Sequence, residues 1–183
     1  KFPGKRTAPG YKQHTVVDDR SRVVVELSVT PANVSEHDAV VELVDGAIGR
    51  LEATPEVVCA DGAYGSGANA SEMETRGIRL VTPPPKVPSN TGEHTFSTEQ
   101  FTYDEMKDQF TCPAGKVLSY VRTEKERGRQ EYRARRSDCC SCSLKSQCTL
   151  SERRHLKVTK DHASLIRLRA DSKTESFKML YRK

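Results

Sequence analysis

The sequence predicts an α/β fold in which an antiparallel hairpin opens a β-α-β-α-β run. Three observations lead there. Two β-branched stretches, residues 11–17 and 22–30, flank the polar turn Asp18-Asp19-Arg20-Ser21, the pattern of two strands joined closely enough to pair antiparallel. Apolar Val40, Val41, Val44, Ala47, Ile48 and Leu51 recur at the spacing of one helix face. Two short apolar stretches, residues 57–60 and 78–82, each follow a helical segment, and strands separated by helices lie parallel in one sheet.

In order along the chain, residues 1–10 are basic, rich in Gly and Pro, and irregular. Pro31 closes the second strand because it has no N–H to give a ladder. Ser35-Glu36-His37-Asp38 has the Ser-x-x-acid form of a helix start. The hydroxyl accepts an early backbone N–H, and Asp38 lies near the positive end of the dipole. The strand at 57–60 is followed by Asp61 and by Gly62, Gly65 and Gly67. A helix is predicted over residues 68–76, with Gly77 as its stop, and Pro83-Pro84-Pro85 ends the strand at 78–82. These elements form a core over residues 11–85. Residues 86–111 read as a connecting loop, and residues 112–160 as a basic, Cys-rich insertion of weak periodicity with one strand at 155–159. Residues 161–183 read as a return helix broken near Ser172.

At 183 residues the chain is one domain, or one domain with a sizeable insertion. Its longest apolar run is strand length, short of the ~20 residues of a membrane helix, and no basic-then-apolar leader is present. The expected location is cytoplasmic, with no membrane partner. Charge is unevenly spread: residues 1–111 hold 11 Lys+Arg against 17 Asp+Glu, and residues 112–183 hold 19 against 8. A basic half joined to an acidic half points to a polyanionic partner on one side, against the plainer reading of a solvated basic surface. Arg133, Arg135, Arg136, Arg153 and Arg154 are the candidate phosphate contacts, with Tyr120 and Tyr132 interleaved.

Asp61 is the most informative single residue. It ends an apolar strand and precedes a Gly-rich turn. Ligands of open α/β sheets bind beyond the carboxyl ends of strands. A carboxylate there suits Mg²⁺, which takes one or two protein carboxylates and keeps waters, and a pair of such ions polarises a phosphodiester and activates the attacking oxygen. Asp-Gly is also a turn signal, and on spacing alone a turn or cap role is the favoured reading of Asp61. Tyr64 and Asn69 are the nearby polar residues suited to shaping a site. His14, in an alternating strand, and His37, at a helix start, read as structural.

Five of the six cysteines fall between positions 112 and 148. Cys139-x-x-Cys142, with Cys148 and Cys112, makes a four-thiol set suited to tetrahedral, structural Zn²⁺. Such a site folds an insertion that has little core of its own. Reduced, unliganded thiols are the alternative. Cys140 is a spare thiol, His155 a substitute ligand, and Cys59 reads as packing in a buried strand.

Several stretches together carry a resemblance. Gly10-Tyr11-Lys12-Gln13-His14, Val29-Thr30-Pro31-Ala32-Asn33, His37-Asp38 and Ala60-Asp61-Gly62-Ala63-Tyr64-Gly65-Ser66 occur in order, followed by Glu74-Thr75-Arg76-Gly77-Ile78 and Phe101-Thr102-Tyr103-Asp104. Over about residues 10–183 the chain resembles the DDE-type transposases of bacterial insertion sequences, and among them the subgroup with a cysteine-bearing insertion between the second Asp and the final Glu. The resemblance implies a partial ribonuclease-H-like mixed sheet and DNA strand cleavage and transfer by Mg²⁺-dependent phosphoryl transfer. It implies element ends and target DNA as partners, a homodimer in the transposition complex, and a nucleoid-associated location. The family's second metal-binding Asp maps onto Asp61. The first, in an Asp-Gly-Thr context, is expected before Lys1. The final Glu is expected just past Lys183, because Leu180-Tyr181-Arg182-Lys183 resembles the opening of the Tyr-x-x-Arg-x-x-x-Glu pattern. On this reading the chain is an internal fragment, inactive alone. The competing expectation is a non-catalytic zinc and nucleic-acid-binding module, or a decayed transposase remnant.

Overall fold

The computed structural model describes residues 9–86 and 96–182. Most of the expected irregular segment at residues 1–10, and residues 87–95 of the expected loop, lie outside them. The chain forms two compact units, one of residues 1–84 with 164–183, the other of residues 85–163.

In the first unit, β1 (Tyr11–Val17) pairs antiparallel with β2 (Val24–Pro31), His14 opposite Ser28, with a bulge between Val16 and Val17. The turn holds its shape because the Asp18 carboxylate accepts from the Ser21 N–H at 2.7 Å and the Ser21 hydroxyl at 2.5 Å. β3 (Val57–Cys59) and β4 (Arg79–Val81) pair in parallel, the arrangement a helical crossover between two strands gives. The hairpin and the parallel pair form separate two-stranded sheets among the described residues. Helices α1 (Val40–Leu51) and α2 (Gly67–Thr75) cover them, and Val40, Val44, Ala70, Met73, Ile78, Leu80 and Leu168 make the core.

Three expectations need correcting here. The Ser35 hydroxyl does not cap a helix; it lies 2.6 Å from His37 Nδ1, and residues 36–39 wind as a 3-10 turn before α1 begins. On α1, Leu43 is buried and Leu51 is half exposed, because Leu51 falls in the last turn, just before Glu52 turns left-handed at φ 50°. Cys59 is exposed rather than packed: β3 is only three residues long, and its Sγ lies 3.9 Å from the Leu180 carbonyl.

The second unit holds a sheet that weak periodicity had hidden. Five antiparallel strands run in sequence order: β5 (Thr102–Asp104), β6 (Gln109–Thr111), β7 (Val117–Glu124), β8 (Arg129–Ala134) and β9 (His155–Thr159). The first two lie in the stretch read as loop; at three residues each they are too short to show alternation. The longer strands alternate, but one face is charged. Tyr132, Ala134, Leu156 and Val158 turn inward with Phe101, Phe110 and Leu118, while Arg122, Glu131, Arg133 and Lys157 sit on the other face. Two short helices, α3 (Arg136–Cys140) and α4 (Lys145–Cys148), join β8 to β9.

The C-terminal part is two helices, α5 (His162–Asp171) and α6 (Glu175–Tyr181), and the break near Ser172 is real. The Thr174 hydroxyl caps α6 by accepting from the Phe177 N–H at 3.1 Å.

Candidate active site

Asp61 stands just past the carboxyl end of β3, exposed to solvent. Both roles open to it on sequence are compatible with its geometry. Oδ1 accepts from the Ala63 N–H at 2.8 Å, capping a single 3-10 turn over Gly62–Tyr64. Oδ2 has no hydrogen bond among the described residues, so one oxygen is free to meet a cation.

The turn that carries Asp61 is held from several elements. The buried Thr82 hydroxyl, just past β4, donates to the Asp61 carbonyl at 2.5 Å. Asn69, buried on α2, donates from Nδ2 to the Tyr64 carbonyl at 2.8 Å and to the His37 carbonyl at 2.9 Å. Tyr64 Oη lies 2.6 Å from Nδ1 of the buried His14 on β1, and His14 Nε2 lies 2.9 Å from Thr30 Oγ1 on β2. The Ser66 hydroxyl accepts from the Asn69 N–H at 3.0 Å and starts α2. Gly65 is required by close approach, since a Cβ there would collide with the Pro83 carbonyl oxygen. Burial, with the Asp61 and Glu36 carboxylates close by, pushes the Tyr64 phenol above its ordinary pKa, so it stays protonated as a donor.

Sequence reasoning named Tyr64 and Asn69 as site-shaping residues and His14 as structural. It missed Thr82 and Thr30, whose types and spacing carry no signal apart from the fold.

Four of the cysteines border a common space. Cys112, Cys139, Cys142 and Cys148 line one cavity of ≈ 20 Å³, with Lys116 and Arg154 among its other walls. Among the described residues, no three His, Cys, Asp or Glu side chains stand close enough to hold a metal as a group. The Lys116 N–H donates to Cys112 Sγ at 3.3 Å in the turn between β6 and β7. Burial pushes the Cys148 thiol up, against the pull of Arg154. His155 is committed elsewhere, 3.0 Å from Glu131, and Cys140 is exposed.

The candidate phosphate contacts separate by surroundings. Arg135 is exposed, and Arg153 is half-buried. Arg133 pairs with the buried Glu131 at 2.8 Å, and Arg136 pairs with Glu152. Arg154 turns inward, donating to the Cys148 carbonyl at 2.9 Å and the Phe96 carbonyl at 2.7 Å and lying 5.3 Å from the centre of the Phe101 ring. Its Nε is buried with no partner among the described residues. No helix among the described residues is long and apolar enough to cross a membrane.

No curated protein matches the chain, and no solved structure does. The family model described as "Transposase DDE domain" matches residues 1–179. With a carboxylate presented past a strand end in an α/β unit and the match running over nearly all the sequence, the chain belongs to the transposase DDE domain family.

Proposed function

We propose that Asp61 is one of the carboxylates that hold Mg²⁺ for DNA strand cleavage and transfer. The observation that carries this is its presentation: exposed at the end of β3, one oxygen fixed by the Ala63 N–H and the other free, on a turn bonded from three directions. The residues fit Mg²⁺ as a single carboxylate donor, because a hard ion accepts one or two carboxylates and fills its sphere with water. The ion when bound polarises the scissile phosphodiester and favours the attacking oxygen. The chain's own part is to fix the direction of the carboxylate and keep the turn from collapsing onto it. One carboxylate does not serve two ions. On this reading Asp61 acts together with further carboxylates of the transposase.

Asp61→Ala in the transposase that carries this chain is expected to abolish strand cleavage and leave DNA affinity unchanged. Cleavage at the parental rate by that variant refutes the assignment.

A second reading is favoured by the cysteine cavity: a zinc-stabilised module that contacts nucleic acid without catalysis. The four thiols that line one small cavity are the donor type structural Zn²⁺ takes, and they must draw closer together than they stand to hold it. A four-thiolate zinc centre carries net negative charge. Arg154, with its unpartnered Nε, and the Lys116 N–H on Cys112 Sγ are placed to offset it. Elemental analysis of the purified chain tests the metal. About one zinc per chain, lost in Cys142→Ser and kept in Cys140→Ser, supports it, and absence of zinc from the parent removes it. If zinc is bound, DNA binding is salt-dependent without Mg²⁺, and neither the parent nor Asp61→Ala cleaves DNA, this second reading replaces the first.

A further inference from the structure

Three of the buried polar side chains in the first unit are spent on one five-residue segment. His14 from β1, Asn69 from α2 and Thr82 after β4 are each 4% exposed or less, and each bonds within residues 61–65. Burying a polar group costs free energy unless it is paired. A fold that places three such groups around one turn is fixing where that turn sits. Two of the three bonds grip the backbone, at the Asp61 and Tyr64 carbonyls. The third, to the Tyr64 phenol, fixes the side chain at the far end of the 3-10 turn that Asp61 caps.

Resting on the reading of Asp61 as a metal-binding carboxylate, we infer that His14 is a positioning residue for it, acting through Tyr64. With the ring proton on Nε2, His14 donates to the Thr30 hydroxyl and accepts the Tyr64 O–H at Nδ1. The chain Thr30–His14–Tyr64 thus ties both hairpin strands to the turn after β3. No ladder hydrogen bond joins those two sheets among the described residues, so side chains do the joining. The two ends of the 3-10 turn are then fixed independently. Asp61 is held by Thr82 at its carbonyl and Ala63 at its carboxylate, and Tyr64 by Asn69 at its carbonyl and His14 at its hydroxyl. Releasing the hydroxyl lets the turn rotate about its backbone anchors and swings the free Asp61 oxygen away from the direction the ion needs. Direct hydrogen-bond partners of a metal-binding group change metal affinity or activity about 10–100-fold when removed, and His14, one residue further back, belongs at the low end of that range.

The test uses the two arms of the imidazole separately. An asparagine amide overlays Nδ1 and a glutamine amide overlays Nε2, so His14→Asn keeps the Tyr64 arm and His14→Gln keeps the Thr30 arm. Both variants, with Tyr64→Phe and Asp61→Ala, are placed in the transposase that carries this chain. Strand cleavage is measured against Mg²⁺ concentration, together with DNA affinity and melting temperature. The expected result is a half-saturating Mg²⁺ concentration about tenfold higher in Tyr64→Phe and His14→Gln, near the parent in His14→Asn, with DNA affinity unchanged throughout. Equal Mg²⁺ dependence in all the His14 and Tyr64 variants overturns the inference, as does loss of activity that simply follows the fall in melting temperature. Cleavage surviving in Asp61→Ala would instead refute the underlying assignment, so the two failures are distinguishable.

Discussion

Arg154→Ala separates a structural arginine from a DNA-contacting one. The guanidinium makes two hydrogen bonds, to the Cys148 and Phe96 carbonyls, and lies over Phe101. Bonds from a charged donor contribute about 1.5–3 kcal/mol each, so the pair gives about 3–6 kcal/mol. Against this stands the desolvation that lowers the Arg154 pKa, together with the buried, unpartnered Nε; an unsatisfied group costs about 1–3 kcal/mol. Truncation removes both sides, leaving a net loss of about 2–3 kcal/mol at the middle of those ranges. A true phosphate contact behaves differently: its loss reduces the slope of log affinity against log salt by about 0.9. The assay is urea unfolding of the chain, alongside DNA binding titrated at several salt concentrations, with exposed Arg135→Ala as the comparison. Arg154→Ala should lose stability and keep its salt slope; Arg135→Ala should lose about 0.9 of slope and stay within about 0.5 kcal/mol of the parent. A salt slope reduced by about one in Arg154→Ala at parental stability refutes the reasoning.

Glu131 is buried in the sheet of the second unit and accepts from Arg133, His155 and Arg122, which hold its carboxyl well below the ordinary range. A folded pKa below the unfolded one means its contribution is complete above about pH 4.3, declines below that, and is gone once pH passes the folded value. Acid titration followed by circular dichroism should show this decline, and Glu131→Gln should flatten it while costing about 1–3 kcal/mol at neutral pH. Asn69→Ala leaves the His37 and Tyr64 carbonyls without their donor and should cost about 2–3 kcal/mol in urea unfolding. Gly65→Ala drives a Cβ into the Pro83 carbonyl and should cost about 1–3 kcal/mol in the same measurement.

The hairpin, α1, α2 and the parallel pair were legible because each carries its own periodicity: β-branched runs around a polar turn, or apolar residues at helical spacing. Asp61 was legible for a related reason, since a carboxylate between an apolar strand and glycines has a position that local pattern fixes. The cysteine set followed from spacing, and its four members do line one cavity. The five-stranded sheet escaped because its first strands are three residues long and its outer face carries arginines and Glu131 where an apolar run was sought. Arg154 looked like its neighbours in a basic stretch, and nothing in the stretch itself marks which guanidinium turns inward.

The sequence by itself determined the family and the element order of the first unit. Those features rest on short-range pattern, where each residue's role depends on neighbours a few positions away. Only the tertiary structure decided that His14, Asn69 and Thr82 converge on the turn of Asp61, from 47, 8 and 21 positions away along the chain. A buried hydrogen bond is set by where two elements meet in space, and for His14 and Thr82 that meeting leaves no trace in local spacing.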